Sequence, residues 1–320
     1  MTKPQSPWRG HAGPYQFSAA VLMMLSPVAL AQHTLPGTAR SKVQMIVTVE
    51  PRQGREVPAL AREDVAVFQD RHRLEVTDLD PCQGANVGLE LFILIDDASD
   101  TSLGSQLPDI RSFINSQTLS AAIGVGYMRN GMVEIAQNLT KDHGYAATSL
   151  RLPLGGNVGT NPYASLSELI HQWPSSSACR EVLMVTPGMG AFTLGSEDFH
   201  NVFVDTAIAD AQRAGIVVHA IYALGIGHSG HSLWFKLWAQ TYLARVAEET
   251  GGEAYSLAFG APVSLAPYLS DFATRVEHQY LISFVPKPGD KAGFQPVKLA
   301  TEVPNVDLVS APKFYFRVEP

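Results

Sequence analysis

Residues 88–104 read Gly88-Leu-Glu-Leu-Phe-Ile-Leu-Ile-Asp-Asp-Ala-Ser-Asp-Thr-Ser-Leu-Gly104. Leu89, Leu91, Phe92, Ile93, Leu94 and Ile95 form an apolar run without alternation. Such a run predicts a strand covered on both faces, as in the parallel sheet of an α/β domain. Asp96 and Asp97 arrive where that strand leaves the sheet. Ligands of open α/β sheets gather at the carboxyl ends of strands, so the acidic and hydroxyl residues that follow mark a candidate site.

Outward from this stretch, short apolar runs alternate with helix-length segments. Leu107–Asn115 predicts a helix, Ala121–Met128 a strand, and Met132–Gln137 a second strand reached through the turn Arg129-Asn130-Gly131. Tyr145–Leu152 and Tyr163–Trp173 predict helices, Val182–Val185 a buried strand, and Val202–Ala214 a helix stopped by Gly215. Ile216–Tyr222, Glu253–Leu257 and Tyr280–Val285 predict strands, separated by helices at Leu233–Thr250 and Leu265–Glu277. The alternation predicts a doubly wound, mainly parallel α/β domain over residues 88–285, with one antiparallel edge hairpin. Upstream, Val43–Val49, Val65–Gln69 and Leu74–Leu79 have hairpin lengths and predict a small β module over residues 42–87. Val297–Thr301 and Lys313–Val318 make residues 286–320 a β tail available to complete that module.

The amino terminus speaks to compartment. Lys3 and Arg9 precede the apolar segment Phe17–Leu30, and Ala29-Leu30-Ala31 supplies a small-x-small pattern. Residues 1–31 therefore predict a signal peptide cleaved after Ala31, with residues 32–41 as a linker. The segment is short for a membrane span, and no cysteine stands at the cleavage point for lipidation. The expectation is a secreted or periplasmic protein with no stable membrane insertion after cleavage. Cys82 and Cys179 match no metal-ligand spacing, and an oxidising compartment permits a bridge between them. A net charge of -7 argues against a nucleic-acid partner, which calls for a basic surface.

The order of strand, Asp-rich turn, helix, hairpin, helix and strand resembles the von Willebrand factor type A domain, a Rossmann-like fold. Asp97-Ala98-Ser99-Asp100-Thr101 is similar to that family's D-x-S-x-S, and Thr160 in Gly155-Gly156-Asn157-Val158-Gly159-Thr160 matches its loop threonine. Pro187, in Thr186-Pro187-Gly188, stands where the family has an aspartate. Val65–Asp70, Glu248–Glu253 and His278–Phe284 resemble more narrowly a group of exported bacterial proteins related to this domain.

The resemblance implies a protein-interaction or adhesion module without catalytic residues, engaging a protein partner at the top of the sheet. It also implies a degenerate metal-ion-dependent adhesion site taking Mg2+ or Mn2+ at Asp97, Ser99, Thr101 and Thr160. These are the oxygen donors a hard cation prefers. Pro187 removes one carboxylate from that set. A second register makes Asp96 the strand-end carboxylate, with Ala98 and Asp100 in the other two places. A simpler reading has the same residues capping the following helix.

A reading of another class is a secreted serine hydrolase using Ser99 or Ser229, with His228 or His231 and an acid such as Asp100. Gly227-His228-Ser229-Gly230-His231 lacks the second glycine of a nucleophile elbow. A structural scaffold with a decayed site is the third reading.

Overall fold

The computed structural model describes residues 42–52, 57–84, 86–155, 161–188, 201–223, 233–256, 264–287 and 291–317, the side chains of residues 233–235 excepted. The expected signal peptide and linker lie outside the described residues. In chain order the strands and helices begin with β1 (Val43–Pro51), β2 (Val65–Gln69), β3 (His72–Pro81) and β4 (Leu89–Asp96). There follow α1 (Leu107–Ser116), β5 (Ala122–Arg129), β6 (Met132–Thr140), α2 (His143–Thr148), α3 (Pro162–Gln172) and β7 (Cys179–Thr186). Next come α4 (Val202–Ala214), β8 (Ile216–Tyr222), α5 (Leu233–Thr250), β9 (Ala254–Tyr255), α6 (Ala266–Glu277) and β10 (Gln279–Val285). Four short strands close the chain: β11 (Gly293–Pro296), β12 (Lys298–Thr301), β13 (Val306–Val309) and β14 (Lys313–Phe316).

The opening stretch forms β4, which lies inside a six-stranded sheet of order β6-β5-β4-β7-β8-β9. Leu91, Ile93, Leu94 and Ile95 are fully buried, which accounts for the missing alternation. β5, β4, β7, β8 and β9 run parallel, and only β6 is antiparallel, through its hairpin with β5. β6 alternates exposed and half-buried residues, as an edge strand with one solvated face does. α4 ends at Gly215, whose φ of +67° is the left-handed conformation that lets the chain turn straight into β8. α1 packs with α2 and α6, while α3 packs with α4 and α4 with α5. The molecule is thus a mixed α/β fold.

A second six-stranded sheet, of order β12-β2-β3-β10-β1-β13, is antiparallel throughout. This departs from the single α/β sheet expected for residues 88–285, because β10 pairs with β1 and β3 instead of extending the larger sheet. β9 is only two residues long and offers little edge for another strand, whereas β1 and β10 pair from Val43 to Thr48. Val43, Met45, Val47 and Val49 of β1 join a core with Ile282 and Phe284 of β10, while Ile46 packs into the core of the larger sheet. β1 is therefore buried on both faces. β11 and β14 form a separate two-stranded sheet.

Cys82, just past β3, and Cys179, the first residue of β7, form a disulfide and are fully buried. The bond ties the antiparallel sheet to the amino edge of the larger one across 97 residues of chain. Two residues into β7, Glu181 is fully buried beside His219 of β8, with Oε2 and Nε2 3.7 Å apart. Burial pushes the Glu181 carboxyl up to about 8, opposed by the Gln279 amide, and pulls His219 down to about 3, with the Arg275 charge adding. With the carboxyl raised and the imidazole lowered, the contact near neutral pH is between two neutral groups.

Candidate functional site

The four longer parallel strands carry their carboxyl ends to one edge of the sheet, and β4 delivers Asp96 and Asp97 there. Both are fully buried. Asp96, the last residue of β4, accepts from the Ala98 amide at 2.9 Å and from the Thr186 hydroxyl at 2.7 Å. Thr186 in turn accepts from the Gly188 amide at 3.1 Å. Burial pushes the Asp96 carboxyl up to about 7 against those hydrogen bonds, with the Asp97 charge adding to the rise. Gly188 has a φ of +73°, and a Cβ there would meet the Ala239 carbonyl oxygen at 2.9 Å. Its own carbonyl accepts from the Tyr163 hydroxyl at 2.7 Å. The Thr186-Pro187-Gly188 turn is thereby held with no carboxylate of its own.

Asp97 is bound by an arginine. Arg151 donates from Nη1 to Oδ1 at 2.7 Å and from Nη2 to Oδ2 at 3.0 Å, the two-pronged geometry that suits a carboxylate. The Leu154 amide adds a third bond to Oδ1 at 3.1 Å, and the Gly155 amide donates to the Asp97 carbonyl at 2.9 Å. The guanidinium lies over the Tyr127 ring, 3.6 Å from its centre. Tyr127 also clasps the Arg151 backbone, its hydroxyl donating to the carbonyl at 3.0 Å and accepting from the amide at 2.6 Å. Asp97 holds the Arg151 guanidinium above its ordinary value.

The remaining expected residues divide. Ser99 is fully buried, its amide donates to the Asp96 carbonyl at 2.9 Å, and its hydroxyl has no hydrogen-bond partner. Asp100 is the cap of a short 3-10 turn, Thr101–Gln106, and accepts from the Ser102 amide at 2.8 Å. That bond lowers its carboxyl below the ordinary range. Thr101 opens the turn and is exposed. Thr160, His228, Ser229 and His231 lie outside the described residues. Asp96 is the last residue of β4, and Asp97, the first residue beyond it, carries the ion pair.

Asp96, Asp97 and Ser99 do not by themselves make a divalent-cation site. Three bonds occupy Asp97, each oxygen of Asp96 accepts one, and of these three residues only Ser99 has a side-chain oxygen without a hydrogen-bond partner. A hard cation needs several oxygens and a carboxylate, which one hydroxyl does not supply. Among the described residues no group of three or more His, Cys, Asp or Glu side chains could hold a metal ion.

Arg151 is the functional residue that sequence reasoning missed, because Tyr145–Leu152 reads as a helix. α2 stops at Thr148, and residues 149–155 form a connection over Asp97. The signal was the lone cation in Leu150-Arg151-Leu152-Pro153-Leu154, where proline and alternating leucines speak against a helix.

Exposed apolar side chains share this edge of the sheet. Among the described residues, the large exposed apolar ones are Leu119, Met132, Tyr145, Leu152, Leu154, Val202, Phe203, Leu237 and Phe294. Met132 lies at the carboxyl end of β5, just past its hairpin turn, and Leu152 and Leu154 flank the Asp97 clamp. α4 ends where β8 begins, at the amino edge, and its 13 residues span about 20 Å at 1.5 Å each, so Val202 and Phe203 return to the carboxyl edge. Leu237 lies in the second turn of α5, which likewise descends toward β9. Six of the nine therefore share the edge that carries Asp97.

Fold and site together define an α/β module whose sheet end is closed by an ion pair and rimmed by apolar residues. Its structural neighbours are mostly von Willebrand factor type A domains of bacterial proteins. The von Willebrand factor type A protein from Catenulispora acidiphila is 12% identical, with a TM-score of 0.45 over 87% of this chain and 75% of its own. The vWF domain of the type V pili tip protein Mfa5 from Porphyromonas gingivalis is 13% identical, with a TM-score of 0.43 over 59% of this chain and 94% of its own. An aerotolerance-related membrane protein from Bacteroides fragilis NCTC 9343 is 14% identical, with a TM-score of 0.42 over 59% of this chain and 98% of its own. No family model and no curated protein matches the chain. No described helix is long and apolar enough to cross a membrane.

Proposed function

We propose that the chain is an exported, non-enzymatic interaction module that docks a protein partner on the carboxyl edge of its larger sheet. The observation that carries this reading is the gathering of Met132, Leu152, Leu154, Val202, Phe203 and Leu237 at that edge. Exposed apolar side chains scattered singly need no explanation, but a concentration at one end marks a contact surface. Export is supported by the basic, apolar and small-residue order of residues 1–31 and by the Cys82–Cys179 bridge, since disulfides persist in oxidising compartments. A doubly wound arrangement belongs to the same reading and is supported by the two helix groups, α1 with α2 and α6, and α3 with α4 and α5.

The hydrolase alternative finds less support. Ser99 has no base hydrogen-bonded to its hydroxyl, and Asp100 is spent on capping. The test is photo-crosslinking in the producing cell, with the reactive amino acid substituted at Leu154, Phe203 or Leu119 of the full chain. Leu119 is exposed at the opposite edge, just before β5. Crosslinked protein is expected from Leu154 and Phe203 but not from Leu119. Equal crosslinking from Leu119, or none from the other two, overturns the reading.

A further inference from the structure

We propose that Arg151 is itself the cation of this site, its guanidinium standing where the related motif would hold a divalent ion, so that partner docking needs no metal. The inference deepens the partner-binding reading and rests on it only for its consequence.

Three features carry it. A divalent ion binds a carboxylate through its lone pairs, and of the roughly four on Asp97 three are already given to Nη1, Nη2 and the Leu154 amide. The guanidinium is held in place: Tyr127 lies beneath it, the Tyr127 hydroxyl grips the Arg151 backbone, and Nη1 also donates to the Leu152 carbonyl at 3.1 Å. A dication entering beside it would meet a positive charge a few ångströms away, without the aspartate that Pro187 replaces. Arg151 thus neutralises Asp97 permanently, since a guanidinium does not deprotonate in proteins.

The same bonds hold up the Leu152-Pro153-Leu154 loop, whose two leucines are half exposed. Arg151 is accordingly a positioning residue for an apolar contact surface. The partner it suits is a protein segment that offers apolar side chains, and not one that offers a carboxylate to complete a metal's coordination shell.

The test is Mn2+ uptake by the full disulfide-bonded chain, read as loss of the free-ion electron paramagnetic resonance signal. The wild type is expected to leave the signal unchanged at millimolar ion. Arg151→Ala, which bares the Asp97 carboxylate, is expected to gain stoichiometric uptake, and Arg151→Gln serves if the alanine variant does not fold. Stoichiometric uptake by the wild type that Asp97→Asn abolishes overturns the proposal, as does equal uptake, or none, in wild type and variant. Loss of the Leu154 crosslink in EDTA and its return with Mg2+ also overturns it. The ion titration uses no partner, so it decides this proposal even where the crosslinking fails.

Discussion

Asp97 and Arg151 bring opposite charges together with very different exposure, the carboxylate fully buried and the guanidinium side chain 31% exposed. Removing one member of a buried pair leaves the other's charge uncompensated, which costs about 3–5 kcal/mol, and the partial exposure of Arg151 points to the lower end. Arg151→Ala is therefore expected to lose about 3 kcal/mol in urea unfolding, while Asp97→Ala/Arg151→Ala together lose less than the sum of the single changes. Additive losses would mean that the two residues do not interact. A second pair titrates by burial. The Glu181 carboxyl is raised from its ordinary 4.5 to about 8, so its contribution to stability is present below 4.5 and is lost as pH rises to about 8. His219 is lowered from 6.5 to about 3, so its contribution is present above 6.5 and is lost as pH falls toward 3. Asp96, raised to about 7, adds its own loss below that pH, so Glu181→Gln is expected to remove the decline between about pH 7 and pH 8 and only to shallow it below. Denaturant midpoints taken from about pH 4 to pH 9 check this, and an unchanged alkaline slope would count against it.

At the scale of elements, the disulfide joins strands that belong to different sheets. Cys82 follows β3 and Cys179 begins β7, so the bond closes a loop of 97 residues that includes β4 to β6 and α1 to α3. Chain entropy assigns to a loop of that size about 4–5 kcal/mol, and native bridges of small secreted domains are worth about 2–5. Cys82→Ser/Cys179→Ser is expected to lower the melting temperature, with reductant reproducing the loss in wild type and leaving the double variant unmoved. Equal melting of all samples would show that the bridge carries no stability. Elements also mark where pattern reading stops. β4, β7, β8 and α4 were legible because each buries a long periodic or continuous apolar run. β11 and β13 are four residues long with no run of buried side chains, and leave no such trace. Tyr145–Leu152 predicts a helix, but α2 ends at Thr148 and the turn to Asp97 overrides local preference beyond it.

For the whole molecule, the parallel strand ends set a polar, ion-paired centre inside an apolar rim, while the antiparallel sheet lies on the other core. Leu152→Ser/Leu154→Ser/Phe203→Ser should leave stability within about 0.5 kcal/mol, because these side chains are at least half exposed or nearly so. The same triple change is expected to abolish crosslinking from a probe at Val202. A large drop in melting temperature would instead assign the three residues to packing, and retained crosslinking would move the docking surface elsewhere.

The sequence by itself determined that β4 is a doubly covered strand and that polar chemistry gathers at its end, because burial periodicity is written locally in the side chains. Only the tertiary structure decided which charge answers Asp97, since Arg151 lies 54 residues away and meets it through the β5 and α2 path. It likewise decided that β10 joins β1 and β3, and that Cys82 meets Cys179. A segment's pattern records how much of it is buried, whereas the identity of its partner depends on how distant strands order themselves. The site's character, an internal ion pair at an apolar edge, follows from that ordering.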